Sequence, residues 1–375
     1  VLSLKTPRSN EMKHMGTPPA LPALTLFLAL LSWPGLLPGQ ELPHGSPAQD
    51  YAGHYRVFTG DGEPATLRDI VDAMGSVDAV LVGEIHTDPV GHWVQAELFE
   101  RALELAGAGR ESGAIRKVAL SLEMFERDVQ GILDEYLQDL ITESQFKSSA
   151  RPWEHYDADY RPMVEAAKAA GVPVLAANAP RRYVNRVTRL GPASLMDLSP
   201  RALSTLPPLP YPPPTDAYRA EWTSLMANMV MEPQCPVPDP SPPHARPDEE
   251  DPEMPHAAPA KGPPAGMPSH GGSFMENGLQ AQTLWDASMA YAITTFLERH
   301  PGALVLHMVG GFHVENFTGT PEKVQFYRPG TRNLVVSMQM ADDFTVFDAE
   351  EHSGAGDFVI LTDESLDKNN ERNCM

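Results

Sequence analysis

Short apolar runs alternate with amphipathic stretches along most of the chain, and polar residues follow almost every run. The clearest runs are 79–82, 118–122, 172–177 and 304–309. Apolar runs of this length, separated by helical patterns, are typical of parallel sheets. We therefore predict an α/β fold in which a central, mainly parallel sheet is flanked by helices.

The same pattern predicts the remaining elements. Asp88 and Pro89 indicate the start of a helix, because Asp caps the first turn and Pro lacks only an N–H that would have no partner there. We expect a second helix after the run 118–122. A third helix should end at Gly171, just before the run 172–177. The pattern further predicts short strands at 55–58 and 334–338 and helices at 65–74, 216–231 and 279–299.

The distribution of proline divides the chain. Half of the 38 prolines fall between Pro207 and Pro268, and this density excludes a packed sheet or helix through most of that stretch. We predict a single α/β domain formed by residues 40–206 and 279–345. Residues 207–278 are predicted to form a largely disordered, proline-rich insertion with one short helix, and residues 346–375 a C-terminal tail.

Residues 1–39 have the pattern of a secretory signal segment. Basic residues precede the apolar stretch 21–37, which Pro22 and Pro34 interrupt. An interrupted stretch of this length favours a cleaved signal over a membrane span. We therefore expect a periplasmic or secreted protein. No cysteine follows the apolar stretch directly, so the sequence leaves membrane association undecided.

The net charge argues against one class of partner. The chain carries a formal charge of -22 and has a pI near 4.9. Nucleic acids are bound largely through Lys and Arg that neutralise phosphates. We therefore expect no nucleic-acid partner.

Polar residues of complementary chemistry follow the strand-like runs. They are Glu84 and His86, Glu123, Asn178 and Arg181, and His313. Because ligands bind at the carboxyl ends of parallel strands, we predict that these side chains meet in one crevice. The two histidines each belong to a Gly-x-x-His element. With the two glutamates they would suit Fe, Zn, Mn or Co as a divalent metal ion.

Each of these residues also has a purely structural interpretation. Glu84 could cap the next helix while His86 is an ordinary buried histidine. Glu123 could form a salt bridge with Arg181 or Arg182, since buried charges are commonly paired.

A second group of residues could bind a flat ligand. Trp153, Tyr156 and Tyr160 lie in an aromatic, polar segment that leads into a helix, and a tyrosinate oxygen can ligate haem iron. The alternative is a surface loop whose aromatic rings pack beneath it. Three more polar candidates lie on helical faces: His92 on the helix after the first run, and Gln282 with Asp286, four residues apart on the last long helix.

Taken together and in order, these motifs resemble the ChaN-like haem-binding uptake proteins, which are grouped with the Tiki proteases and the erythromycin esterases. The resemblance is carried by Gly83-Glu84-x-His86, Glu123-Met124-Phe125, Asp159-Tyr160-x-Pro162, Asn178-Ala179-Pro180-Arg181, Gln282-x-x-x-Asp286 and Gly310-x-x-His313. It implies an α/β fold with a helical subdomain, haem held through a tyrosine at a homodimer interface, and a role in haem or iron acquisition.

What the resemblance implies for the residues is a haem-binding set with Tyr160 as the first choice of ligand. The other members of this set are Tyr156, Trp153, His92, Asn178, Arg181, Gln282 and Asp286. The relatives also allow a metal-dependent or general-base hydrolase, in which Glu84, His86, Glu123 and His313 are catalytic. A third alternative is a copper-handling protein that uses the His and Met residues of the proline-rich insertion.

Overall fold

A computed structural model describes residues 51–111, 116–231 and 271–367 of the 375-residue chain. The predicted signal segment and most of the proline-rich insertion, including its candidate copper ligands, lie outside the described residues. Within the described ranges, no helix combines the length and the apolar character needed to cross a membrane.

The described residues contain eight strands that form one sheet. The strands are β1 (Tyr55–Thr59), β2 (Pro64–Ala65), β3 (Ala79–Glu84), β4 (Val118–Glu126), β5 (Val174–Asn178), β6 (Leu304–Gly310), β7 (Asn333–Ala341) and β8 (Phe358–Asp363). Their order across the sheet is β2-β1-β8-β7-β3-β6-β4-β5. The six strands from β8 to β5 are parallel to one another, whereas β1 and β2 add an antiparallel edge.

Helices connect the strands and cover both faces of the sheet. They are α1 (Leu67–Met74), α2 (Pro89–Glu111), α3 (Gln130–Leu137), α4 (Glu143–Ala150), α5 (Tyr156–Asp159), α6 (Arg161–Ala170), α7 (Arg181–Leu190), α8 (Pro200–Leu203), α9 (Asp216–Met231), α10 (Gly271–Arg299), α11 (Thr320–Tyr327) and α12 (Ala349–His352). Short 3-10 turns lie at Arg127–Val129, Pro192–Asp197, Gly311–His313, Glu315–Phe317 and Glu364–Leu366. The fold is thus the mainly parallel α/β architecture that the sequence predicts.

The strand β3 shows why its apolar run is continuous rather than alternating. Val80 and Val82 belong to the core on the side of α2, while Ala79 and Leu81 belong to the core on the side of α10. Successive side chains of a strand point to opposite faces. A central strand covered by helices on both sides therefore needs apolar residues at every position.

The prediction that residues 346–375 form a tail outside the domain is wrong for the described residues up to 367. Residues 358–363 form β8, which pairs in parallel with β7 and antiparallel with β1. Val359, Ile360 and Leu361 are fully buried there. The short apolar run of β8 follows turns rather than a long helix. The alternation of apolar runs and amphipathic stretches, which indicated the other strands, is therefore missing here.

The predicted start of the proline-rich insertion, at residue 207, is also too early. Tyr211 packs with the core between α7 and α10, and its hydroxyl donates to the Gln280 carbonyl at 2.9 Å. On α9, Tyr218 and Trp222 pack against Leu279 of α10. The first part of this proline-rich stretch is therefore packed on the domain through its aromatic side chains.

Candidate functional site

The polar residues at the strand ends lie at one edge of the sheet. Strand β6 lies between β3 and β4, and Glu84 at the end of β3 is in register with Gly310 at the end of β6. Along both β3 and β4, residues that face the α10 side alternate with residues that face α2. This alternation places Glu84 of β3 toward α2 and Glu123 of β4 toward α10. The polar residues at this edge therefore form two groups that meet at Gly310, and the region of Glu84, His86, Glu123, Gly310 and His313 is called the crevice.

Glu84 lies at the centre of the first group. Its carboxylate accepts hydrogen bonds from Gln95 Nε2 at 2.5 Å and from the Tyr160 hydroxyl at 2.6 Å. His86 Nδ1 lies 2.8 Å from the same carboxylate. An ionised carboxylate only accepts hydrogen bonds, so Nδ1 of His86 carries a proton. In the neutral imidazole, Nε2 is then the nitrogen with a lone pair.

His92 adds a buried charge to this group. Its ring nitrogens lie 3.5 Å from Glu84 Oε1 and 3.3 Å from Asp159 Oδ1. Burial lowers the pKa of His92, but Glu84 and Asp159 outweigh burial and raise this pKa to about 9. For Glu84, burial raises the pKa, and the charge of His92 with the hydrogen bond from His86 reverses this and holds it well below the usual range. The pair is charged at neutral pH.

The second group is formed by His313 and Asp286. His313 Nδ1 lies 2.8 Å from Asp286 Oδ1, which also accepts a hydrogen bond from the Thr320 hydroxyl at 2.9 Å. Burial lowers the pKa of His313, yet Asp286, and after it Glu123, raise it to about 9. Across the crevice, His313 Nε2 is 3.9 Å from Glu123 Oε1.

Gly310 joins the two groups. Its backbone N–H donates to Glu123 Oε2 at 2.8 Å. A Cβ at this position would lie 3.0 Å from Cε1 and 3.1 Å from Nε2 of His86, so a larger residue would push the imidazole slightly away from the strand end. His86 and His313 thus both lie close to Glu123 and Gly310, His86 with an exposed ring and His313 with a buried one.

Gly83 allows close packing at the end of β3. It lies within β3, which continues to Glu84. A Cβ here would approach Val314 Cγ2 to 2.7 Å and Gly311 Cα to 3.0 Å. Gly83 is therefore needed for the close approach of β3 to the turn that follows β6.

The aromatic segment divides into an accessible and a buried part. Trp153 is half-buried, and its ring meets that of His86 edge-on at 4.9 Å between centroids. The side chain of His86 is 47% exposed. Tyr160 and Tyr156 are only 2% and 3% exposed, and burial raises the pKa of both hydroxyls far above the usual value. The expectation that one of these tyrosines ligates haem stays a prediction, and in this structure both residues are buried.

The remaining predicted residues differ in burial and position. Asn178 is buried at the end of β5, and Arg181 is exposed at the first residue of α7. Gln282 lies one helical turn before Asp286 and lines a separate cavity. The salt bridge considered for Glu123 is not formed with Arg182, which binds Asp128 at 2.6 Å instead.

The divalent metal site predicted from Glu84, His86, Glu123 and His313 is not supported. Nowhere in the described part of the chain do three or more His, Cys, Asp or Glu side chains form a group that could hold a metal ion. The physical reason is that the Glu84 oxygens already accept hydrogen bonds from Gln95, Tyr160 and His86.

Three residues that contact the polar side chains of this region were not among the predicted site residues. Asp159 lies beside His92, Thr320 donates to Asp286, and Thr362 of β8 donates to Asp88 at 2.7 Å. Asp88 also caps α2, as predicted, by accepting from the Val90 N–H at 2.9 Å. Asp159 belongs to one of the motifs that carry the family resemblance, whereas nothing in the local sequence distinguishes Thr320 or Thr362 from other threonines.

The shifted pKa values predict how stability depends on pH. The contributions of His92 and His313 are fully present below the unfolded pKa near 6.5 and are lost as pH rises through about 9. The contribution of Glu84 is present above 4.5 and is lost as pH falls. We expect urea unfolding to give the highest free energy of unfolding between these limits, with a loss on the order of 3 kcal/mol per histidine by pH 10.

A matched variant checks the origin of this dependence. In His313→Asn, the loss of stability between pH 6 and pH 10 should be about half that of the wild type, because one of the two buried histidines no longer titrates. A free energy of unfolding that does not change over this range would show that neither histidine gains a proton on folding.

Comparison with known proteins agrees with this architecture. Residues 70–324, more than half of the chain, match the family described as haem-binding uptake, Tiki superfamily, ChaN. The chain belongs to this family. The resemblance inferred from the motifs is therefore confirmed, although a search of curated proteins gave no significant match.

One solved structure is similar to this chain in fold, and two others are less similar. ChaN of Campylobacter jejuni, solved in a study of cofacial heme binding to that protein, has a TM-score of 0.55 at 14% identity and covers 82% of this chain and 97% of its own. At this identity the likeness concerns the fold. The type III effector HopBA1 has a TM-score of 0.39 at 13% identity, covering 79% of this chain and 93% of its own. A mutant of the erythromycin esterase EreC in its open conformation has a TM-score of 0.37 at 9% identity, covering 76% and 77%.

Proposed function

We propose that this protein binds haem in the crevice at the carboxyl ends of β3, β4 and β6, with His86 as the iron ligand. One observation supports this most: His86 combines an exposed imidazole with an Nδ1 that is tied to a buried carboxylate at 2.8 Å. Haem ligation requires a neutral imidazole nitrogen, and a carboxylate on the other nitrogen fixes the tautomer and raises the ligand's basicity.

The surroundings of His86 suit a flat apolar ligand. Trp153 lies against the imidazole, and Ile85 is 36% exposed beside it. His86 would hold the iron through Nε2, and Trp153 and Ile85 would contact the macrocycle. When bound, haem supplies a Lewis-acidic iron that accepts an imidazole nitrogen.

The hydrolase alternative has less support in the crevice. A general base must offer an unoccupied oxygen or a neutral imidazole. Both Glu84 oxygens accept hydrogen bonds, and the raised pKa of His313 leaves it protonated near neutral pH. Glu84 and His313 are therefore poor general bases, which leaves His86 as the candidate base of the hydrolase alternative, and the family description favours haem binding over hydrolysis.

The family to which the chain belongs is described by haem-binding uptake, which supports a role in haem or iron acquisition. Residues 1–39 support a periplasmic or secreted location, because they have the composition of a signal segment. A homodimer with haem between two copies stays a prediction of the resemblance.

Titration of the purified protein with hemin tests the proposal. We expect a saturable change in the Soret band at one haem per chain. Binding should weaken as pH falls from 8.5 to 6.5, because Glu84 raises the pKa of His86 after burial has lowered it, and protons then compete with iron for Nε2. A spectrum that shows no saturation at either pH would contradict haem binding.

A further inference from the structure

An acidic cavity lies at the carboxyl ends of β7 and β8, at the same edge of the sheet as the crevice. Its volume is about 370 Å³, within the range for small-molecule sites. Residues at the end of β7, the helix α12 and the first residue after β8 line it. None of the lining residues belongs to the crevice, so a ligand bound here would be additional to haem.

The wall of the acidic cavity carries no basic side chain. Five carboxylates line it, those of Asp342, Asp343, Asp348, Glu351 and Glu364. Within the described part of the chain, the first four of these carboxylates take part in no ion pair. Like charges around one concavity repel each other, and a cation bound among them would relieve this repulsion.

A buried histidine, His352, also lines the acidic cavity and is 3% exposed. Its Nδ1 lies 2.7 Å from Gln339 Oε1. The orientation of this amide follows from its other end, where Gln339 Nε2 donates to the Glu315 carboxylate at 3.4 Å. Since a carbonyl oxygen only accepts hydrogen bonds, Nδ1 of His352 carries a proton, and in the neutral ring Nε2 has the lone pair.

Nε2 of His352 is the accessible nitrogen of this ring. It makes no hydrogen bond within the described residues, yet it is not one of their buried polar atoms that lack a partner. The nitrogen is therefore exposed, and because the ring lines the acidic cavity, it is exposed there. A buried ring with one nitrogen fixed and the other open to a cavity provides a hydrogen-bond acceptor for a ligand. Carboxylates and this imidazole nitrogen all accept hydrogen bonds from a protonated amine.

The spacing of these groups favours an extended cation over a metal ion. Among the residues that the structure describes, no three His, Cys, Asp or Glu side chains lie close enough together to hold a metal ion. A chain with several ammonium groups can pair with carboxylates that lie further apart. Its methylene groups would contact Met340, Ala341 and Val346, which also line the cavity, and Val346 is 58% exposed.

We propose that the acidic cavity binds an aliphatic polyamine. One ammonium group would donate to Nε2 of His352, and the others would pair with the carboxylates of Asp348 and Glu351. The methylene chain would cover the exposed surface of Val346. This binding does not depend on haem, because the two sites share no residue.

Isothermal titration of the full-length protein with spermidine at low ionic strength tests this inference. We expect saturable binding at one site per chain. Binding of 1-aminobutane should be at least about tenfold weaker, because this probe has one ammonium group and forms fewer charge-assisted hydrogen bonds. His352→Phe should weaken spermidine about three- to tenfold, the effect of one lost hydrogen bond.

Two neighbours on α12 form a matched pair of variants. Glu351→Gln and Glu350→Gln remove the same charge, but only Glu351 lines the acidic cavity. We expect Glu351→Gln to weaken spermidine about three- to fivefold, the effect of one exposed ion pair, and Glu350→Gln to bind as the wild type does. This pair decides the matter even if His352→Phe does not fold, which thermal unfolding would show.

Three results would overturn the inference. The first is the absence of saturable spermidine binding. The second is equal weakening by Glu351→Gln and Glu350→Gln, which would show a general attraction of cations to the acidic surface. The third is saturable binding of Mg²⁺, titrated alone, that Glu351→Gln removes, since the cavity would then be a metal site.

Discussion

Replacing Glu84 by leucine is expected to lower the free energy of unfolding by about 3–5 kcal/mol, the cost of removing one partner from a buried ion pair. The substitution leaves the charge of His92 with Asp159 as its remaining carboxylate and removes the acceptor of Gln95 and Tyr160. A leucine side chain cannot satisfy these donors. Chemical denaturation at pH 6, where the contribution of His92 is still nearly complete, measures the change.

A second carboxylate at a strand end serves as the control. Glu126 ends β4, and it pairs with Arg151 at 3.0 Å near the surface. Glu126→Gln should cost no more than about 1 kcal/mol, as is usual for solvent-exposed ion pairs. If Glu84→Leu is no more destabilised than Glu126→Gln, the buried cluster does not stabilise the fold in the way that its hydrogen bonds indicate.

Replacing His86 by alanine is expected to abolish most haem binding with little change in stability. The imidazole is 47% exposed. When the imidazole is removed, Glu84 still accepts hydrogen bonds from Gln95 and Tyr160. Loss of an outer partner of a metal ligand costs about ten- to hundredfold in affinity, and loss of the ligand itself should cost at least as much. Hemin titration, followed by the Soret band, measures the loss.

Two comparison variants locate the ligand. His155→Asn changes an exposed histidine of the same aromatic segment and should bind hemin as the wild type does. Tyr160→Phe removes a hydrogen bond to Glu84 rather than a ligand, so its effect on affinity should be clearly smaller than that of His86→Ala. If Tyr160→Phe abolishes binding while His86→Ala does not, the tyrosine ligand implied by the family resemblance is correct and the His86 proposal fails.

His86 and His313 differ in burial, and we therefore expect their substitutions to have different effects. His313 is buried and bound to Asp286, so its substitution should mainly alter stability. His86 has one nitrogen fixed and an exposed ring, so its substitution should mainly alter ligand binding. A histidine that is oriented from within the fold and accessible from outside is suited to ligation.

Much of the fold could be predicted because strands and helices have local periods. The apolar runs ending near Glu84, Glu123 and His313 all became parallel strands whose carboxyl ends lie at one edge of the sheet. The helix from Asp216 to Met231 begins and ends as predicted. Strand β8 was missed because its position in the sheet depends on pairing with β7 and β1, which no local pattern records.

The sequence by itself determined the fold class, the family and the set of polar residues around the crevice, since a strand that ends in Glu or His carries this information within a few residues. The tertiary structure alone decided which of these side chains are accessible. Tyr160 reaches Glu84 across 76 residues and is buried by that contact, while His86 remains exposed above Gly310. Burial and pairing depend on the packing of distant segments, and the hydrogen bond from the Tyr160 hydroxyl to a buried carboxylate is therefore visible only in the folded chain.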